Sequence, residues 1–259
     1  MAAPPPILPI PTEPPSFWER QFATTITEPQ VIFDGTWGML LPAFCVAVDP
    51  IVFRHGTYGG PLVQDHAVAG LAAIALAMLS LIAWFVLRRS SALVAGLLAG
   101  LLSGGAGLAL ILGVYLLPMS IMGLLVAIGI FGFAPFMTAF VFIRNAVRAY
   151  GHASRQTERP WFLATALFGF VLFCGGPLAV QAYVDQELAR ANAFLESADA
   201  AEFAKGAALL KRYRLVGNLD TLVYRYDAEK NPTRRAALAD LYRELTGQDI
   251  ERRLQILLD

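Results

Sequence analysis

The stretch ALVAGLLAGLLSGGAGLALILGVYLLPMSIMGLLVAIGIFGFAPFMTAFVFI, residues 92–143, decides the fold. It contains no Asp, Glu, Lys, Arg or His. About 20 helical residues cross a bilayer core, so this run is too long for a single span. Pro118 interrupts it and predicts the hinge of a tight helical hairpin, with spans at residues 92–117 and 119–143.

Two further apolar runs predict membrane spans, at residues 67–87 and at residues 161–184. The second run has Trp161 and Tyr183 near its ends, as interface anchors should be. Residues 37–53 form a shorter apolar stretch that is broken by prolines and would cover about 26 Å as a helix. This stretch is either a short fifth span or a re-entrant segment.

The composition agrees with a membrane protein. Hydrophobic residues make up 56% of the chain, charged residues only 15%, and the mean hydropathy is +0.55. The 20 basic and 20 acidic residues cancel, so no nucleic acid partner is expected. The sequence therefore predicts an all-α, multi-pass helical protein whose environment is the lipid bilayer, with four long spans and one short or re-entrant segment.

Basic loops give the predicted orientation. Two arginines follow the first long span, and the loop before the last span holds Arg144, Arg148, Arg155 and Arg159. The positive-inside rule places both loops in the cytoplasm. We therefore expect an integral protein of a bacterial inner (plasma) membrane in three parts. These are a Pro-rich extended tail over residues 1–30, a membrane domain over residues 31–185 and an extracytoplasmic helical region over residues 186–259.

The region over residues 186–259 predicts short amphipathic helices. Asp199 begins a sequence of the capping-box type, in which polar side chains satisfy the first free N–H groups of a helix. Asn231 followed by Pro232 combines a cap with proline at the first helical position. Gly247 predicts the end of that helix.

One part of this region resembles a known repeat. The stretch NPTRRAALADLYRELTGQDI, residues 231–250, resembles the second helix and exit of a HEAT-type helical repeat. The resemblance covers about residues 218–250. HEAT-type repeats generally form protein-binding surfaces, so the resemblance implies docking rather than chemistry.

The polar residues indicate little catalytic chemistry. The histidines are His55, His66 and His152, and all lie outside the long spans. The chain has no HExxH, CxxC or nucleotide-binding glycine loop. We therefore expect no metal and no cofactor, and the sequence leans away from an enzyme without deciding the matter.

Asp49 is the acid in the shorter apolar stretch, within AVDPIVF at residues 47–53. An acid inside a membrane is a functional-site hypothesis by default. Arg54 follows and can pair with it, so Asp49 and Arg54 form the candidate intramembrane polar site. Asp49 before Pro50 can equally mark a helix end or the turn of a re-entrant segment, which is a structural role.

Glycines predict a close packing face. Gly96, Gly100 and Gly104 recur every four residues as a doubled GxxxG pattern. Glycine lets two membrane helices approach closely, which increases their dispersion contacts. The partner helix is either in the same chain, in the alanine-rich run at residues 67–87, or in another subunit.

These patterns favour a non-enzymatic interaction or assembly subunit of a larger membrane complex, with other membrane protein subunits as partners. The alternative is a small transporter or channel component that uses Asp49 and helices broken by proline and glycine. A kink is predicted at Pro135 and a bend at Gly175-Gly176-Pro177. An integral-membrane enzyme is the third reading.

Overall fold

The computed structural model describes residues 16–23, 26–44, 67–89, 91–123, 133–197, 199–213 and 219–258. Every regular element within these ranges is a helix, which confirms the predicted all-helical class. The chain divides into two compact units. One takes in the described residues up to Ala43 together with Leu76–Phe173, and the other takes in those of Phe44–Ala75 and Cys174–Asp259.

The first unit is built from seven elements or parts of elements. They are α1 (Phe17–Phe22), α2 (Glu28–Gly35), a π-helical turn (Thr36–Leu40), most of α3 (Ala67–Leu87), α4 (Ala92–Gly123), α5 (Ala134–Gln156) and the first part of α6 (Arg159–Glu196). The second unit contains the start of α3, the rest of α6, α7 (Ala200–Arg212), α8 (Asp220–Ala228), α9 (Pro232–Thr246) and α10 (Ile250–Leu258).

Three of the described helices are long and apolar enough to cross a membrane. The qualifying segments are Val68–Leu87, Ala92–Pro118 and Pro160–Glu196. They indicate an integral membrane protein, because a soluble core rarely needs apolar helices of this length.

The hinge predicted at Pro118 is wrong, because α4 runs through this proline to Gly123. A proline removes one bond from the helix, and membrane helices tolerate this since neighbouring groups re-satisfy the freed carbonyl. The kink predicted at Pro135 is also absent, because Pro135 lies in the first turn of α5. Proline is favoured in that position because the first N–H groups of a helix have no partner within it. At Pro177, α6 continues as helix.

Two stretches that were expected to be irregular are helical. Within the predicted extended tail, α1 begins with a reciprocal capping box between Ser16 and Glu19, and α2 begins at Glu28. Prolines before residue 16 favour an extended chain, whereas Ser16 and Glu19 supply the cap that starts a helix. Arg144 and Arg148, predicted to lie in a loop, are inside α5.

Helices α4 and α5 pack against each other in antiparallel directions. A Cβ atom added at Gly113 would lie 2.9 Å from the ring of Phe136, and one added at Gly105 would lie 3.3 Å from the ring of Phe142. Along this contact, the residue numbers of α4 fall as those of α5 rise. Helix α5 therefore returns the chain alongside the apolar part of α4.

The second unit contains a helical module, which we call the C-terminal module and define as residues 186–258. Its hydrophobic core consists of Ala191, Leu195, Leu210, Leu222, Val223, Tyr226, Leu238, Leu241, Tyr242 and Ile250. The predicted helix boundaries are confirmed here: Asp199 caps α7, Asn231 caps α9, and Gly247 ends α9 with a φ of 71°. Positive φ is the left-handed region that glycine adopts without steric cost.

Candidate functional site

A buried group of charges lies where α2 packs on α5. Asp34, in α2, is 0% exposed, and Arg144 and Arg148, in α5, are each 2% exposed. Arg144 Nη2 donates a hydrogen bond to Asp34 Oδ1, and Arg148 Nη1 lies 3.9 Å from Asp34 Oδ2. Buried charges persist when they are paired, so Asp34 is the counter-ion of both arginines. We call Asp34, Arg144, Asn145 and Arg148 the charge cluster.

Neutral groups surround the ion pair. The guanidinium of Arg144 lies 5.3 Å from the ring centroid of Phe33 and 5.2 Å from that of Phe140. Both distances suit attraction between a cation and an aromatic face. Asn145 is also fully buried and donates through Nδ2 to Asp34 Oδ2 at 2.9 Å. The cluster is thus held by electrostatic contacts on several sides.

Two glutamines tie the N-terminal helices to the arginines. The side-chain oxygen of Gln21, in α1, accepts from Arg144 Nη1, and its backbone carbonyl accepts from Arg148 Nη2 at 2.7 Å. Gln30, in α2, accepts from Arg148 Nη2 through Oε1 at 3.0 Å. These hydrogen bonds join α1 and α2 to α5.

Local sequence places these side chains on matching faces. Helix α2 starts at a capping box, in which Gln30 Oε1 accepts from the Thr27 backbone N–H at 3.2 Å. Asp34 follows Gln30 by four residues and shares its helix face. Arg144 and Arg148 are likewise four residues apart in α5. Each helix therefore presents its polar pair as one stripe toward the other.

The π-helical turn lies directly after Asp34. It spans Thr36–Leu40, and Thr138 of α5 donates to the carbonyl of Trp37 at 2.7 Å. Gly38 fits closely in this turn, because an added Cβ would lie 2.9 Å from Val141. Single π-helical turns are frequent at functional sites, since they re-aim the side chains around them.

The charge cluster lies beside the first half of α4. Gly105 is the middle residue of the candidate span Ala92–Pro118 and faces Phe142. Arg144 and Arg148 follow Phe142 by two and six residues, and the two helices are antiparallel, so the cluster lies between the middle of α4 and its first residue, Ala92. An ionisable group that is buried among apolar helices is a functional-site hypothesis by default, because its burial is costly without a partner.

The predicted polar site lies outside the described residues. Asp49 and Arg54 fall within residues 45–66, as do His55 and His66. In the part of the chain that the structure describes, no group of three His, Cys, Asp or Glu side chains could hold a metal ion. The charge cluster is therefore the strongest candidate site.

The predicted packing glycines lie against α6. A Cβ added at Gly96 would meet Thr165, one at Gly100 would clash with the backbone carbonyl of Ala166, and one at Gly104 would clash with the ring of Phe173. The alanine-rich α3 instead meets Gly105, where Ala77 is the neighbour. The contact of the GxxxG face is thus within the chain, but on a different helix from the one expected.

An apolar groove of about 680 Å³ runs between α4, α5 and α6. Its lining includes Ser103, Gly107, Val147, Tyr150, Leu167 and Phe170. The Ser103 hydroxyl is used within its own helix, where it donates to the Ala99 carbonyl at 2.7 Å. The groove offers shape and apolar surface rather than reactive groups.

The charge cluster is not among the sites predicted from the sequence. Asp34 precedes the predicted segment at residues 37–53, and Arg144 directly follows the predicted span at residues 119–143. One signal was present: Asp34 has apolar neighbours on both sides in VIFDGTW, and Arg144 and Arg148 interrupt FVFIRNAVRAY at helical spacing. Their pairing depends on tertiary structure.

Comparison of the chain with protein-family models, with curated proteins and with solved structures finds no match. The resemblance of residues 218–250 to a HEAT-type repeat accordingly stays a prediction. Function is inferred from the chemistry and geometry of the chain itself.

Proposed function

We propose that the protein is a non-enzymatic integral-membrane interaction or assembly subunit of a larger membrane complex. The observation that carries this proposal is the C-terminal module, which has a hydrophobic core of its own at the end of α6. A folded module attached to a membrane helix provides a docking surface held at a membrane. Its partners would be other membrane protein subunits.

The proposal includes a fourth membrane crossing, formed by α5. This helix runs antiparallel along the apolar part of α4, and its Arg144 and Arg148 are buried and pair with Asp34. The short additional segment at residues 37–53 begins in the π-helical turn, where Gly38 lies between α3 and α5. With basic loops in the cytoplasm, the C-terminal module is extracytoplasmic, on a bacterial inner membrane.

In this proposal the charge cluster has a positioning role. Asp34 accepts from Arg144 and from Asn145, so both of its carboxylate oxygens have partners. Buried polar pairs of this kind can fix the register between helices, since a shifted helix would leave a charge unpaired. The cluster would thus fix how α2 lies on α5 in the assembled subunit.

A small transporter or channel component is the second candidate. The observation that favours it is the burial of the charge cluster among apolar helices, beside a π-helical turn, since ionisable groups inside membranes often mark ion pathways. Ion flux into proteoliposomes tests it. Flux that Asp34→Asn abolishes at unchanged protein content would favour transport over assembly.

Cross-linking in native membranes tests the assembly proposal. Tyr224 and Ile256 are residues of the C-terminal module with large apolar side chains, and they are 58% and 56% exposed. We expect Tyr224→Ser or Ile256→Ser to weaken cross-links to a partner subunit without altering the thermal unfolding of the protein. Asp240→Asn is the matched control, because the Asp240 side chain is 74% exposed and polar. Equal cross-linking in all variants would exclude these side chains from the docking surface.

A further inference from the structure

The charge cluster carries more positive charge and more N–H donors than its described partners balance. One carboxylate, that of Asp34, faces the two guanidinium groups of Arg144 and Arg148, so the buried group has a net charge of one positive unit. Among the described residues, Nε of each arginine and Nη1 of Arg148 have no hydrogen-bond acceptor. Buried donors without acceptors are costly, and more so when they are charged.

Apart from Asp34, the described acceptors of the two arginines are neutral oxygens. They are the side-chain oxygen and the backbone carbonyl of Gln21 and the side-chain oxygen of Gln30. Gln21 and Gln30 are only partly buried, so they lie between the arginines and the surface. An ionised oxygen forms roughly twice as strong a hydrogen bond to a guanidinium as a neutral one does. An oxyanion would therefore compete well for these donors.

Helix α1 is short, with 6 residues. Its Gln21 accepts hydrogen bonds from both arginines of α5, and its Arg20 carbonyl accepts from Gln30 Nε2 of α2 at 3.2 Å. A helix this short has no stability of its own in water. Its displacement would expose Arg144 and Arg148 while leaving the bond from Arg144 to Asp34 in place.

We propose that Arg144 and Arg148 form an oxyanion-binding site and that α1 is its displaceable cover. The ligand class is a phosphate group of net negative charge, carried by an anionic lipid headgroup or by a free phosphate, because the planar guanidinium matches phosphate oxygens in charge and geometry. The side-chain and backbone oxygens of Gln21, in the cover, and the oxyanion compete for the same donors. This site goes beyond the assembly role proposed above and does not depend on it.

The test uses the full-length protein in phosphatidylcholine nanodiscs. Its Tm is measured against inorganic phosphate, with chloride at equal ionic strength as the reference, and again with phosphatidylglycerol in the nanodisc. A higher Tm with inorganic phosphate identifies a free oxyanion, and a higher Tm with phosphatidylglycerol alone identifies a lipid headgroup. Both results support the site. If neither probe raises the Tm of the wild-type protein, the proposal is overturned.

Variants separate this site from general charge effects. Arg148→Gln should weaken the apparent affinity by about tenfold or more, because one charged donor group is lost. Arg155→Gln, an exposed change in the same helix, should leave the affinity unchanged. Equal responses of these two variants would overturn the proposal.

A second variant covers the case in which Arg148→Gln fails to fold. Gln21→Ala keeps both arginines and removes one competing oxygen, so it should strengthen the anion-dependent rise in Tm several-fold. The fluorescence of Trp18, obtained by subtracting the Trp18→Phe spectrum, should change as the anion is added. A weaker response of Gln21→Ala than of wild type would contradict the role of α1 as a competing cover.

Discussion

Asp34 and Arg144 form an ion pair in the protein interior although 110 positions separate them in the chain. The pair joins α2, near the N-terminus, to α5, in the middle of the sequence. Both side chains are almost fully buried, so each is the main reason that the other can remain charged. A contact of this kind makes the N-terminal region an integral part of the helical bundle.

Removing the carboxylate charge should destabilise the protein strongly. In Asp34→Asn, two buried arginines lose their counter-ion, and we expect a loss of about 3 kcal/mol in the free energy of unfolding. Thermal unfolding of the full-length protein in nanodiscs measures the effect. Asp240→Asn is the control, because it removes a carboxylate at the surface. If the two variants unfold alike, the ion pair does not hold α2 to α5.

The effect on stability of adding a side chain at a glycine of α4 should depend on the space around that glycine. Gly100→Ala should cost about 2 kcal/mol, because its methyl group would clash with the Ala166 backbone of α6. Gly107→Ala should be neutral or slightly stabilising, since an added Cβ there meets nothing within 4 Å. Extraction yield and Tm of the two variants measure the difference. Similar values would show that close contact with α6 is not required.

The π-helical turn should depend on one hydroxyl of α5. In Thr138→Val, the carbonyl of Trp37 loses its donor at 2.7 Å, and we expect a loss of about 1 kcal/mol or more in the free energy of unfolding. Ser103→Ala removes a hydroxyl that bonds only within its own helix, so it is a suitable control. Hydrogen exchange of residues 36–41 should rise in the first variant alone. Unchanged exchange in Thr138→Val would show that this hydrogen bond does not stabilise the turn.

Much of the fold follows from local patterns in the sequence. The apolar run at residues 67–87 corresponds to all of α3 and the run at residues 161–184 to part of α6, because uncharged runs of this length favour membrane helices. The caps at Asn231 and Gly247 were predictable because they act within one turn of backbone. The hinge predicted at Pro118 was wrong because it does not depend on local sequence alone. Whether a proline breaks a helix depends on its neighbours in the bundle, which a single sequence does not reveal.

The charge cluster could not be predicted for a related reason. Arg144 after an apolar run has the same local pattern whether it ends a span at the membrane surface or pairs inside a bundle. Only the position of Asp34 across the interface distinguishes the two cases, and nothing local specifies that position. Local rules therefore identify the helices well and their polar contacts poorly.

The stability of the C-terminal module should fall at alkaline pH because of Tyr226. Its hydroxyl donates to Glu251 at 2.6 Å, and this hydrogen bond together with burial raises the pKa of Tyr226 above its ordinary value of 10.0. A raised pKa favours the neutral form in the folded state. The stabilisation is therefore fully present below about pH 10 and is lost as the pH rises through the folded-state pKa.

Hydrogen exchange of the module, measured from about pH 8 to pH 11, checks this dependence after correction for intrinsic exchange rates. Tyr226→Phe should lower stability at neutral pH and flatten the decline at alkaline pH. Tyr224→Phe, at an exposed position of the same helix, should keep the wild-type profile. A wild-type profile in Tyr226→Phe would show that another group controls the alkaline response.

The intact mass of the tagged full-length protein, after gentle extraction from its native membrane, tests the assembly role most directly. We expect a discrete complex in which the protein occurs with other subunits at a fixed stoichiometry. Asp34→Asn should reduce the yield of this complex if the charge cluster sets the shape of the subunit. A clean monomer or a small homo-oligomer as the only species would contradict the assembly role.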